Sequence, residues 1–212
     1  MNSKWLEHYR STYYPHLNIN SSGAKRLLVE GVYNRATGFD VMWRLLLRQR
    51  QTDFNIIETG TLRDPGNWKD GQSARLFAEF IDWHGGTMRS VDIDPAAVEI
   101  SRAAIRSSRF SVTCSDSVIW LQGLQDLDAV DLFYLDSWDV KWQDDCDSAE
   151  HHLKEFLVIE PHLRPGTVVA VDDNSRWFEN NRRTGKGRRV VEYLEAKGII
   201  PIYDEYQIIY QF

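Results

Sequence analysis

Cysteine is almost missing: Cys114 and Cys146 are the only two in 212 residues. They have no paired spacing of the zinc or redox kind, so a disulfide-stapled scaffold is excluded and a reducing compartment is expected. Long hydrophobic runs are missing too. No apolar stretch approaches the roughly 20 residues that a bilayer span needs. The N-terminus lacks the charged start and apolar core of a signal peptide. A cytoplasmic protein without membrane contact is the expectation. Positive charge is also in deficit, with 25 Lys and Arg against 31 Asp and Glu for a net charge of -6. That balance argues against a general binder of nucleic acid or of membrane surfaces, while leaving room for a local basic patch. Disorder is excluded by abundance rather than absence. Apolar residues make up 42% of the chain and aromatics 12%, enough at this length for one domain with a sizeable core.

What is present is a repeated pattern. Four apolar, strand-like runs each end in acid: IIETG at Glu58, SVDID at Asp92 and Asp94, FYLD at Asp136, and VVAVDD at Asp172 and Asp173. Helical stretches separate them, as in SARLFAEFIDW from Ser73, where Ser73 suits a helix N-cap, and AAVEISRAAI behind Pro95 at a first helical turn. Further strands are expected at 110–114 and in a C-terminal hairpin, IIPIYDEYQIIYQF. Strands alternating with helices make a parallel sheet, and the hairpin must add an antiparallel strand. The expected fold class is therefore α/β: a Rossmann-like, doubly wound, mostly parallel seven-stranded sheet with an antiparallel C-terminal hairpin strand and N-terminal helices. Residues 1–52 read as a helical extension, a substrate lid or an oligomer contact, with packing of Trp5, Tyr9, Tyr13 and Tyr14 onto the core as the simplest role. Residues 53–212 read as the main domain. In such a sheet the C-terminal strand ends line one crevice, where ligands bind. The acids would line it with negative charge, suited to ribose hydroxyls, an ammonium group or a metal cation.

Glu58-Thr59-Gly60 after the first strand, Asp92 ending the second, Ser115-Asp116-Ser117 after the third, Asp136 ending the fourth and the terminal hairpin together resemble class I S-adenosylmethionine-dependent methyltransferases. The resemblance covers about residues 54–212. Within that family the chain is most similar to metal-dependent small-molecule O-methyltransferases of the catechol and macrocin types, through FYLDSW and VAVDDN. It implies S-adenosylmethionine as cofactor, held by Glu58, Gly60, Thr61, Ser73, Asp92, Ile93, Asp116, Ser117 and Asp136. Gly60 would allow close backbone approach, Ser73 and nearby amides would take the carboxylate, and Asp92 would take the ribose. Asp116 and Ser117 would contact the adenine, with Ile93 on its face, while Glu58 would order the loop. It also implies a divalent cation, Mg2+ by the hard-oxygen donor set, on Asp136, Asp172 and Asp173.

The loop TLRDPGNWKD departs from the family's compact glycine-rich pattern and reads as a longer lid. The base is open: the family's Lys position holds Asp139, Lys141 lies two further on, and His151 opens the helix after the fourth strand beside a core-edge His152. The basic loop Arg182, Arg183, Lys186, Arg188 and Arg189 reads as a solvated loop, or else as a clamp for a phosphate or carboxylate on the substrate. The expected partner is a small-molecule substrate, anionic in that second reading, and a homo-oligomer is left open. The expected activity is methyl transfer to a hydroxyl with metal assistance. Its rivals are a metal-free methyltransferase acting on another acceptor, and a cofactor-binding module or pseudoenzyme, including a cephalosporin-hydroxylase-like use of the scaffold.

Overall fold

The computed structural model describes residues 4–18, 34–70, 72–177 and 181–212. The helical reading of 19–33, the loop position 71 and residues 178–180, ahead of the basic loop, lie outside them. Three helices come first: α1 (Lys4–Thr12), α2 (Tyr14–Leu17) and α3 (Arg35–Gln49). The alternation follows as β1 (Phe54–Thr59), α4 (Ser73–His84), β2 (Gly86–Asp92), α5 (Pro95–Ala104), β3 (Phe110–Cys114), α6 (Ser117–Gly123), β4 (Leu132–Leu135), α7 (Cys146–Ile159) and β5 (Val168–Val171). A short antiparallel pair, β6 (Asn174–Arg176) and β7 (Arg183–Gly185), precedes α8 (Arg188–Glu195) and the closing β8 (Tyr203–Asp204) and β9 (Ile208–Gln211).

The seven-stranded sheet has the order β3-β2-β1-β4-β5-β9-β8. Its first five strands are parallel and β9 runs antiparallel to β5. The order reverses between β1 and β4, so the crevice at their C-terminal ends is the topological switch point where such sheets take ligands.

Why the sheet is covered on both sides is visible in single strands. Ile56, Tyr134 and Ala170 join one buried cluster with α1, α3 and α4, while their neighbours Ile57, Phe133, Leu135, Val169 and Val171 join the other with α7 and α8. Successive residues point to opposite faces, so a strand that is apolar at every position must be covered twice. The N-terminal aromatics belong to the first layer: Trp5 and Tyr9 are fully buried, and Trp5 packs edge-on against Trp43 at 5.5 Å and Phe80 at 5.4 Å. Among the described residues no helix is long and apolar enough to cross a membrane.

Two local expectations change. Ser73 is the first residue of α4 rather than its cap; Gln72 precedes it in a left-handed conformation, φ +56°, with its Nε2 donating to the carbonyls of Asp64 and Asn67. The basic loop carries β7, which pairs with β6 ahead of it in a hairpin that NSR and RTG conceal because neither has an apolar alternation.

Candidate functional site

The strand-end acids of β2 and β4 meet at one cavity of about 480 Å3 over the switch point, a size within the usual range for small-molecule sites. Gly60, Thr61, Ser73, Asp92, Ile93, Asp116, Ser117 and Asp136 line it, as do the three candidate bases Asp139, Lys141 and His151. Glu58 is not at its surface but buried beneath, 1% exposed, with Oε2 accepting from Ser90 at 2.9 Å and Oε1 without a partner. Burial, reinforced by the negative charge of Asp136, pushes its pKa up to about 8.

Gly60 is where the cavity floor needs a glycine. Its φ is +86°, and a Cβ there would stand 2.7 Å from the carbonyl oxygen of Asp136. Asp92 is raised by burial and keeps one oxygen on the backbone N–H of Asp94 at 2.9 Å. Asp116 caps α6 by accepting from the N–H of Ile119 at 3.0 Å, so the helix N-terminus at Ser117 is presented to the cavity. Ile93 is 72% exposed although apolar, and Trp138, 55% exposed, lines the same cavity. Trp138 was not foreseen. Its backbone sits at φ +42°, a region that bulky residues avoid and that concentrates at ligand sites. Two large, exposed apolar side chains on the cavity wall suit packing against a flat ring.

The mouth is spanned by an ion pair. Arg63, from the loop after β1, donates to both oxygens of Asp139 at 2.9 and 2.8 Å. Asp139 is thereby engaged. The same loop is held from the N-terminal side, where Arg35 donates to the carbonyl of Lys69 at 2.7 Å and Trp68 stacks on His16 at 4.9 Å. His151 is not solvated: its Nε2 lies 2.9 Å from Ser117 Oγ and 3.4 Å from Glu155 Oε1, at the end of the cavity defined by Ser117. Among the described residues Lys141 alone of the three candidates has no ion-pair partner.

Asp136, Asp172 and Asp173 are brought together, each offering an oxygen within 4.8 Å of the others. The donor chemistry suits a hard cation, yet the space among them is taken. Lys186 Nζ stands 2.6 Å from Asp136 Oδ1 and 2.8 Å from Asp173 Oδ2. Arg35 donates from Nε to Asp172 Oδ2 at 2.7 Å and from Nη2 to Asp173 Oδ1 at 2.8 Å, and the Tyr206 hydroxyl also donates to Asp173. A divalent ion with ligands at about 2.1 Å would collide with the ammonium. As arranged, these residues do not fit one. Asp172 and Asp173 also stand outside the cavity, and only Asp136 reaches its wall. Burial, with Asp172 and Asp173 adding to it, outweighs Lys186 and pushes Asp136 upward, whereas Lys186 and Arg35 overcome burial at Asp173 and hold it ionised.

The basic loop is only partly solvated, with Arg182 exposed, and none of its residues lines the cavity. Lys186 and Arg188 are buried, Arg188 pairs with Asp145 at 2.9 Å, Arg183 with Asp204 and Arg189 with Glu150. Its charges answer acids of the same chain.

Beneath the cavity lies a buried polar cluster that the sequence did not signal. Glu155, fully buried, accepts from Thr59 Oγ1 at 3.1 Å and Ser137 Oγ at 2.6 Å. His152 and His151, with the hydroxyls of Ser117 and Ser137, overcome burial and lower its pKa to about 2. His152, also fully buried, has Nδ1 2.6 Å from the carbonyl of Ser148, and burial lowers it to about 4. Both groups are depressed, so both make the fold acid-sensitive. As pH falls below 6.5 the unfolded chain protonates its histidine while folded His152 stays neutral until about 4, and stability is lost over that window. Glu155 extends the loss from about 4.5 down to about 2. The His152 share of that loss is on the order of 3 kcal/mol between pH 7 and 4. It is opposed by Glu58 and Asp136, whose raised pKa values add stability as pH falls over the same range. In urea unfolding, wild type should therefore lose about 3 kcal/mol relative to His152→Leu across that window. An unchanged profile in the variant would assign the decline to other groups.

A family model described as a methyltransferase domain matches residues 68–174, just over half of the chain. No curated protein matches the sequence. Among solved structures the chain is similar to CalS11, a calicheamicin methyltransferase, at 12% identity and TM-score 0.58 over 100% of this chain and 94% of that one. It is also similar to human methyltransferase 10 domain containing protein, at 10% identity and TM-score 0.53 over 98% of each chain. MycE, a methyltransferase from mycinamycin biosynthesis in complex with Mg and SAH, matches at 19% identity and TM-score 0.44, over 65% of this chain but only 34% of its own length. At such identities the likeness is one of fold.

Proposed function

The chain belongs to the methyltransferase domain family, and from that premise we propose that it transfers the methyl group of S-adenosylmethionine to a hydroxyl of a small molecule. One observation carries the reading: the switch-point cavity joins a close-approach glycine, a ribose-type acid and two large apolar side chains, the parts that a nucleoside site needs. Ile93 and Trp138 would hold the adenine between them, with Asp116 and Ser117 at its edge. Asp92 would accept from the ribose hydroxyls, and the N-terminus of α4 at Ser73 would take the carboxylate. When bound, the cofactor supplies an electrophilic methyl on a sulfonium.

The rest of the chemistry belongs to the chain. The Arg63–Asp139 pair would close the mouth and exclude water. Positioning of the acceptor against the Asp136 wall supplies most of the rate gain. Lys141 is the candidate to take the acceptor's proton, since Asp139 is engaged and His151 is tied to the nucleoside end. Acids outnumber bases around the cavity, with Asp70, Asp92, Asp94, Asp116, Asp136 and Asp139 against Arg63 and Lys141. An acceptor uncharged at its reacting end suits that field better than an anionic one. A hydroxyl acceptor has a parallel in CalS11, which is described as a TDP-rhamnose 3'-O-methyltransferase.

Calorimetric titration with S-adenosylmethionine tests the reading. Wild type is expected to bind one equivalent, and Asp92→Ala to weaken binding roughly 30- to 100-fold, the loss of two hydrogen bonds to a charged acceptor. Absence of binding to wild type, or equal binding by Asp92→Ala, overturns it.

A further inference from the structure

Lys186 is an unusual lysine. Its side chain is 2% exposed, and the three hydrogens of its ammonium meet three acceptors: Asp136 Oδ1 at 2.6 Å, Asp173 Oδ2 at 2.8 Å and the Asp136 carbonyl at 3.3 Å. Its backbone is as constrained as its tip. The N–H of Lys186 donates to the Asp173 carbonyl at 3.1 Å. Gly185 before it adopts φ +111°, in a space where a Cβ would stand 2.1 Å from the same carbonyl. The N–H of Gly187 after it donates to Asn174 Oδ1 at 2.7 Å. A side chain fixed at both ends does not swing aside to admit an ion.

We propose that this chain needs no divalent cation: the ammonium of Lys186, with the guanidinium of Arg35, is the permanent counter-charge of the strand-end acids, and Lys186 positions Asp136 at the cavity wall. Three carboxylates crowded within 4.8 Å repel unless positive charge lies among them. This chain supplies that charge covalently, from the β6–β7 hairpin and from α3. Of the six carboxylate oxygens only the buried Asp172 Oδ1 and Asp136 Oδ2 accept nothing, and two oxygens are far from the roughly six ligands that Mg2+ demands. Lys186 acts through Asp136 and is a positioning residue: it also grips the Asp136 carbonyl against which Gly60 packs. The inference concerns the acid corner itself, and only its consequence for turnover rests on the transfer reading above.

The test needs neither cofactor nor acceptor, so its failure is separable from failure of that reading. The full chain, stripped with chelator, is titrated with Mn2+ alone and followed by electron paramagnetic resonance, and its thermal midpoint is measured in chelator and in Mg2+. Wild type should bind no stoichiometric Mn2+ up to about 1 mM, the weak end of protein sites for such ions, and its midpoint should not move. Lys186→Met keeps an apolar stem but removes the charge. It should gain about one Mn2+ per chain, and its midpoint should rise roughly 5 °C from chelator to millimolar Mg2+, a cation rescue that a merely structural lysine would not produce. Stoichiometric Mn2+ on wild type that is lost in Asp172→Asn overturns the proposal. So does a folded Lys186→Met indifferent to cations. If Lys186→Met does not fold, the wild-type titration decides alone.

Discussion

Gly60→Ala is expected to abolish cofactor binding at micromolar concentrations and to lower the thermal midpoint by about 5–15 °C, the counterpart of roughly 2–4 kcal/mol in a domain of this size. Two costs combine. A left-handed backbone at φ +86° costs an alanine about 1–2 kcal/mol. The new Cβ must also find room 2.7 Å from the Asp136 carbonyl oxygen and 3.0 Å from its carbon, and overpacking of that kind costs about 1–3 kcal/mol more. Neither side yields easily: the Gly60 N–H is tied to Val91 at 2.8 Å, its carbonyl accepts from Ser90 at 2.7 Å, and the Asp136 N–H is tied to Thr59 at 2.9 Å. Relief requires β1 and β4 to part at the switch point, which widens the floor of the cavity where close approach matters. Gly123→Ala is the control. A Cβ at Gly123, the last residue of α6, meets nothing within 4 Å, so that variant should match or slightly exceed wild-type stability. Calorimetry and thermal unfolding of the two variants side by side decide; Gly60→Ala with wild-type affinity would sink the assignment of the cavity floor.

The sheet was legible because burial on two faces leaves a mark in sequence. Runs such as VVAV and LFYL are apolar at every position, and only a strand covered on both sides reads that way. The acids after those runs were legible for the same reason, since a charge directly behind a buried run must stand at the edge of the sheet. Their partners were not. Lys186 sits in a stretch whose composition is that of a solvated loop, and nothing local says that two of its five basic side chains, Lys186 and Arg188, turn inward. The cue is tertiary: Gly185 and Gly187 let the hairpin lie against the Asp173–Asn174 backbone, a contact invisible until β5 and β7 are placed. Arg35 is harder still, reaching Asp172 from 137 residues away. Trp138 carries no local signal that separates a core tryptophan from one at a site; its backbone at φ +42° and its exposure at the cavity are tertiary facts. Glu155 lies on a helix whose other buried positions, His152 apart, are apolar or small, and its partners Thr59 and Ser137 come from two different strand ends. Three-dimensional convergence of single polar residues has no periodicity to betray it.

The hairpin that delivers Lys186 hangs on one carboxylate, and Asp145→Ala is expected to be the most damaging single change outside the apolar core. Asp145, 1% exposed, accepts from the N–H of Gly185 at 2.8 Å, from Thr184 Oγ1 at 3.0 Å and from Arg188 at 2.9 Å. These donors, Arg188 foremost, overcome burial and hold it below the usual carboxylate range. Its removal leaves a guanidinium buried without its partner, at about 3–5 kcal/mol, together with a buried hydroxyl and amide that lose their acceptor. The midpoint should drop by about 10–20 °C. Arg188→Met alone strands the carboxylate less severely, because the Gly185 and Thr184 donors remain. The double variant Asp145→Leu with Arg188→Met removes both charges and should recover much of the loss, since a buried pair contributes little net stability over apolar replacements. The cycle also separates stability from site geometry. If Gly185 and Thr184 must be held by Asp145 for Lys186 to reach Asp136, the double variant regains its midpoint but not wild-type affinity for S-adenosylmethionine. Recovery of both together would mean that the hairpin is placed by its glycines and Asn174 alone, with Asp145 serving only to neutralise Arg188.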